Sequence, residues 1–175
     1  MNEQLHSVFT RSNGKVLTVL VGGKEYGIEI LQSREVIGLM KIDAVPQMPA
    51  FMLGFINLRG HVIPVIDLRK KLGVSESSKA EECCVVIVDV QGHLTGALVD
   101  SLIGVLGLNP NEFQSELELG NNLRADFIGG IAKHQNRMIF VLNMEKVLAN
   151  DDLAAVVAGQ PPTWGETPVS PAELS

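Results

Sequence analysis

Residues 15–30, KVLTVLVGGKEYGIEI, set two strand-length apolar runs on either side of a Gly-containing turn, which is the pattern of a β-hairpin. It returns 69 positions later in residues 84–99, CVVIVDVQGHLTGALV, where Val16 aligns with Val85, Val19 with Val88, Val21 with Val90, Gly23 with Gly92 and Gly27 with Gly96. A second pair of segments repeats as well. GFINLRGHVIPVIDLRKKL, from Gly54, resembles GGIAKHQNRMIFVLNMEKVL, from Gly129, once a residue is inserted near Asn136, and Asp67 then falls on Asn143. Asp and Asn are both good helix N-caps, so each half is expected to close as strand, cap and helix. Gly73 offers the stop in the first half, and in the second the helix could run to Val157. His61 to Ile66 is apolar on both faces and interrupted by Pro64, which cannot donate to a ladder and implies an edge or a bulge.

The glycine spacing and repeated cap point to an internal duplication, two small subdomains with a seam at the polar loop VSESSKAEE, Val74 to Glu82. PQMPAFMLG, Pro46 to Gly54, reads as a turn with one helical turn, and Asn109 to Phe127 as a long loop or short-helix excursion. The end, GQPPTWGETPVSPAELS, holds four of the eight prolines and no apolar period, so a disordered tail is expected over 158–175, with Trp164 a stray aromatic on it. The layout is an arm over 1–14, a domain over 15–157 with strands exchangeable between its halves, and the tail.

Composition narrows the partners. With 175 residues, 46% apolar and only 5% aromatic, the chain can bury a core and leans towards many strands joined by tight turns. A net charge of -6 without a dense Lys/Arg cluster argues against a nucleic-acid backbone as ligand. The first residues lack the succession of a signal peptide, and no apolar run approaches the roughly 20 residues that span a bilayer. A cytoplasmic protein without membrane insertion is expected, and the adjacent Cys83 and Cys84, poorly placed to pair with each other, suit a reduced compartment.

Catalytic constellations do not assemble. His6, His61, His93 and His134 are scattered without metal-ligand spacing. Gly22-Gly23-Lys24 lacks the pattern of a phosphate loop and is followed by strand-like EYGIEI. Cys83 and Cys84 lie in an apolar run with no visible cause for a lowered thiol pKa, and no serine sits in a nucleophile elbow. Asp67 is better explained as a cap and Asp100 as a strand end than as paired acids. No enzyme, metal or cofactor is expected.

That leaves Arg59, on an Asn-Leu-Arg-Gly turn with no acid within four residues on either side. Two readings stand: its stem lies over a barrel and its head pairs with an acid distant in sequence, or it anchors a partner. Four blocks, KEYGIEILQSREVIG, PAFMLGFINLRGHVIPVIDLRKKLG, VVIVDVQGHLTGALVDSLIGVL and NRMIFVLNMEKVL, resemble those of the CheW family of bacterial chemotaxis adaptors, from about Val16 to Leu153. The resemblance implies a mainly β fold of two intertwined five-stranded SH3-like barrels with a hydrophobic core between them, short helices and a C-terminal helix. It implies a non-catalytic adaptor that joins the cytoplasmic tips of chemoreceptors to the regulatory domain of the CheA histidine kinase, recruited to membrane-associated receptor arrays. By the same resemblance Gly54, Asn57, Arg59, Gly60 and Leu102, the last in a groove of the second barrel, contact receptor, while Ser33 and Glu35 contact the kinase. Ser33 departs from the small apolar residue common at its position. With neither a receiver domain nor a kinase segment read in the chain, the expectation is a stand-alone adaptor. The same role in a non-flagellar pathway, such as surface sensing or pilus control, fits the sequence equally. A small-ligand-binding β-barrel would need convergent polar groups that the motifs do not offer.

Overall fold

The computed structural model describes residues 14–74, 82–115 and 127–148. Residues 1–13 of the expected arm, most of the Val74–Glu82 loop, the helix extension to Val157, and the tail with Trp164 lie outside the described residues. The first half contains β1 (Lys15–Val21), β2 (Lys24–Glu29), the 3-10 turn η1 (Ile30–Gln32), β3 (Ser33–Gly38), β4 (Met52–Leu58), β5 (His61–Asp67) and α1 (Leu68–Leu72). The second repeats it as β6 (Cys84–Val90), β7 (His93–Val99), β8 (Ser101–Gly107), η2 (Pro110–Glu112), β9 (Phe113–Ser115), β10 (Ile128–His134), β11 (Arg137–Leu142) and α2 (Met144–Val147).

Each sheet takes strands from both halves. Barrel I has the order β8-β1-β2-β11-β10-β9, and barrel II the order β3-β6-β7-β5-β4. Exchanging β1 with β6, β2 with β7, β3 with β8, β4 with β10 and β5 with β11 converts one order into the other, apart from β9. The fold is therefore two intertwined SH3-like barrels, and the seam at Val74–Glu82 divides the sequence without dividing the sheets. Four pairings join the halves: β2 with β11 and β5 with β7 are parallel, and β1 with β8 and β3 with β6 are antiparallel.

The strands are apolar on both faces because each face has its own core. In β6, Val85 and Ile87 fill barrel II together with Ile56, Ile63 and Val65. The alternate Val86, Val88 and Val90 enter a core shared by the two barrels, where they meet Leu17, Val19 and Val21 of β1. On its other face β1 sends Val16 into barrel I with Ala132, Ile139 and Val141. Period-2 alternation thus sorts one apolar run between two interiors, and each fully buried Val or Ile contributes roughly 1.5–3 kcal/mol.

Several local expectations change. The second repeat needs no insertion: Met52–Leu58 and Ile128–His134 stand 76 positions apart throughout, with the same register shift at Met52/Gly54 and Ile128/Gly130. Gly54 thus corresponds to Gly130, not Gly129. The reason is a close approach, since a Cβ would lie 2.2 Å from Asp43 O at Gly54 and 2.5 Å from Gln114 O at Gly130. Pro64 is not on an edge strand, because β5 runs between β4 and β7; pairing with β7 covers only Val65–Asp67, and the bulge lies in β4. Met52 follows turns rather than a helical turn. The excursion after Asn109 supplies η2 and a sixth strand, β9, on barrel I.

Both caps form. Asp67 Oδ1 accepts from Arg69 N at 3.0 Å, and Asn143 Oδ1 accepts from Lys146 N at 3.2 Å. Gly73, at φ 74, ends α1.

Candidate binding faces

Barrel II carries a groove of about 550 Å³, with Leu58, Ile63, Ile87 and Leu94 in its lining beside the charged Arg34, Glu35, Arg59 and Asp89. Its shape follows from two hairpin turns. In the β4–β5 turn Arg59 (φ 51) and Gly60 (φ 88) both take positive φ, as a two-residue hairpin matched to strand twist requires. Asn57 Oδ1 accepts from Gly60 N at 2.9 Å and closes the turn. The β6–β7 turn is built the same way, with Gln91 and Gly92 at positive φ and Asp89 Oδ1 accepting from Gly92 N at 2.9 Å.

The acid that the sequence does not place near Arg59 comes from the edge strand β3. Arg59 Nη2 donates to Glu35 Oε1 and Oε2 at 2.7 and 2.8 Å. Beside this pair, Arg34 of β3 donates to Asp89. The Arg59 side chain keeps 62% of its surface in water, so the pair is worth no more than about 1 kcal/mol to the fold. Holding a non-glycine residue in left-handed backbone costs a similar amount. The arrangement displays charge at little net gain in stability.

Of the residues expected at partner contacts, Glu35 and Arg59 line this groove, Asn57 and Gly60 belong to the Arg59 turn, and Ser33 begins β3, its Oγ donating to Glu29 O at 3.4 Å. Arg59 and Glu35, expected at different partners, form one ion pair. Gly54 is buried, and its lack of a side chain is explained by the Asp43 backbone against it. Leu102 stands on β8 of barrel I, the barrel that takes four of its six strands from the second half of the chain. It belongs to an apolar edge with Ile103 and Val105, which are 45%, 44% and 59% exposed respectively. In the sheet order β8 has only β1 as a neighbour.

Arg34, Asp89, Ile103 and Val105 were not singled out in the sequence. Asp89-Val-Gln-Gly92 repeats the turn spacing of Asn57-Leu-Arg-Gly60, which was the available signal for Asp89. For the β8 edge it was SLIGVLG standing where the first repeat has SREVIG.

Other candidate chemistry is structural. Burial, and then the neighbouring Cys83, push the Cys84 thiol up, the opposite of an activated nucleophile. Among the described residues there is no group of three or more His, Cys, Asp or Glu that could hold a metal ion, and no helix is long and apolar enough to cross a membrane. Asp67 and Asp100 both bind Arg69 in the interior.

Two exchanged barrels with one polar and one apolar outer face define a protein-binding scaffold. The chain belongs to the CheW-like domain family, whose model matches residues 15–152, and it is accordingly a non-catalytic chemotaxis adaptor. It is 30% identical over 140 residues to "Chemotaxis protein CheW" of Klebsiella aerogenes, covering 80% of this chain and 84% of that one. Against the Bacillus subtilis protein of the same description it is 30% identical over 150 residues, covering 86% and 96%. The crystal structure of the scaffolding protein TtCheW from Thermoanaerobacter tengcongensis superposes with a TM-score of 0.72 at 29% identity, covering 79% of this chain and 94% of that one.

Proposed function

We propose that this adaptor couples the cytoplasmic tips of chemoreceptors to the regulatory domain of a CheA-type histidine kinase, and that each barrel serves one partner. The groove of barrel II, with Ser33, Glu35, Asn57, Arg59 and Gly60, is the kinase face. The β8 edge of barrel I, with Leu102, Ile103 and Val105, is the receptor face. One observation carries this division: Glu35 and Arg59 form a single bidentate pair, so one partner meets both. A charged rim suits a partner selected by charge complementarity, whereas the exposed apolar side chains of β8 suit a partner with an apolar surface. Recruitment to membrane-associated arrays follows from receptor binding.

The test is a pair of titrations on folded variants. Glu35→Lys is expected to weaken kinase binding by about tenfold or more and leave receptor recruitment intact, and Val105→Asp to do the reverse. If Glu35→Lys spares the kinase and abolishes recruitment, the faces are assigned the wrong way round. If neither variant affects either partner, the adaptor uses other surfaces.

A further inference from the structure

We infer that Arg69 is a positioning residue that sets the angle between the two barrels, and through it the angle between the two partner faces; the second clause rests on the adaptor reading above. Arg69 stands in α1, 6% exposed. Its Nε and Nη2 donate to Asp67 at 2.9 and 3.1 Å, and its Nη1 donates to Asp100 Oδ1 at 3.0 Å. Asp67 ends β5 in barrel II, whereas Asp100 is the single residue between β7 of barrel II and β8 of barrel I. From that crossover Asp100 also grips the first hairpin of barrel I: its N–H donates to Leu20 O at 2.9 Å, and its Oδ2 accepts from Gly22 N at 2.8 Å. One hydrogen-bonded chain therefore runs from a strand end of barrel II, through a planar guanidinium, to the β1–β2 turn of barrel I.

The chemistry suits a clamp. A guanidinium donates in a fixed plane, so two carboxylates held by it are fixed in direction as well as in distance. Asp67 and Asp100 are 2% and 0% exposed, which removes solvent screening and makes any departure from the paired geometry costly. The duplication does not repeat this device. Asn143 and Glu145 occupy the positions of Asp67 and Arg69 in the second half, and Leu31, 54% exposed, stands at the position of Asp100. The crossover from barrel II to barrel I is thus clamped by a buried ion triad, while the crossover from barrel I to barrel II runs through η1 with an exposed leucine at the equivalent point.

Spin labels test this directly on the isolated full chain. Cysteines introduced by Lys24→Cys on β2 and His93→Cys on β7, in a Cys83→Ala/Cys84→Ala background, report the inter-barrel distance by pulsed electron resonance. The parent is expected to give one narrow distribution. Arg69→Lys keeps the charge but not the fork, and is expected to broaden that distribution about twofold with unchanged far-UV circular dichroism. A folded Arg69→Lys with the parental width overturns the proposal and leaves Arg69 as a stabilising residue only. Should Arg69→Lys not fold, Asp100→Asn, which retains an acceptor for Gly22 while removing the ion pair, carries the same readout and the same refuting outcome. These distances are measured without partners, so failure of the adaptor reading leaves them standing. For the functional clause, binary affinities should stay within about threefold while receptor control of kinase activity falls by about fivefold or more. Full control despite a widened distribution overturns that clause.

Discussion

Arg59 combines a left-handed backbone with an exposed ion pair, and its substitutions should separate stability from binding. Arg59→Gly relieves the backbone and loses the pair, so its melting temperature should stay within about 2 °C of the parent, a change under about 0.5 kcal/mol, while kinase binding in a titration falls. Gly54→Ala should behave oppositely. Its Cβ would lie 2.2 Å from Asp43 O at a φ of 143, so a loss on the order of 3 kcal/mol or more is expected in denaturant unfolding. Thr95 is fully buried on β7, and its Oγ1 has no hydrogen-bond partner among the described residues. Replacing a buried unsatisfied hydroxyl by a methyl removes a desolvation cost, so Thr95→Val should stabilise by about 1 kcal/mol in the same experiment.

Among the elements, β9 distinguishes barrel I from barrel II, and the turn leading into it is tied to β10 through Glu112 and His134. Leading into it, Asn109 N donates to Glu112 Oε1 at 2.8 Å, and Glu112 Oε2 lies 2.9 Å from His134 Nδ1 on β10. The Asn109 amide first, and then the His134 hydrogen bond, hold the Glu112 carboxyl below its ordinary value of 4.5. A carboxyl depressed on folding stabilises fully above its unfolded pKa and loses that contribution as pH falls through the folded value. The Asn109 amide should therefore keep its protection from exchange above about pH 4.5 and lose it progressively below. Glu112→Gln should show weaker protection without that pH dependence, as measured by NMR.

For the whole molecule, strand exchange makes the two halves mutually dependent. Neither barrel can complete its sheet from 14–74 or from 82–148 alone, because β1 and β2 pair with β8 and β11, while β6 and β7 pair with β3 and β5. Fragments cut within the Val74–Glu82 loop should each be largely unfolded by circular dichroism, and mixing them should restore the β spectrum. An independently folded half would refute this dependence.

Much of this architecture was legible in the sequence because it rests on local chemistry. The hairpins at Gly22-Gly23 and Arg59-Gly60, the Asp67 and Asn143 caps, the Gly73 stop and the 69-residue repeat all depend on turn residues and on period-2 alternation within a few positions. The NLRG turn was visible as an oddity for the same reason. What the sequence left open depended on contacts between distant residues. A strand apolar on both faces does not reveal which interior receives which face, nor that β5 is internal despite Pro64. Turn spacing cannot reveal that Glu35, 24 positions away, supplies the acid for Arg59, or that Asp100 reaches Arg69 and Gly22 together. Those pairings come from the exchange of strands between barrels, which brings edge strand, hairpin and crossover together only once both halves have folded as one.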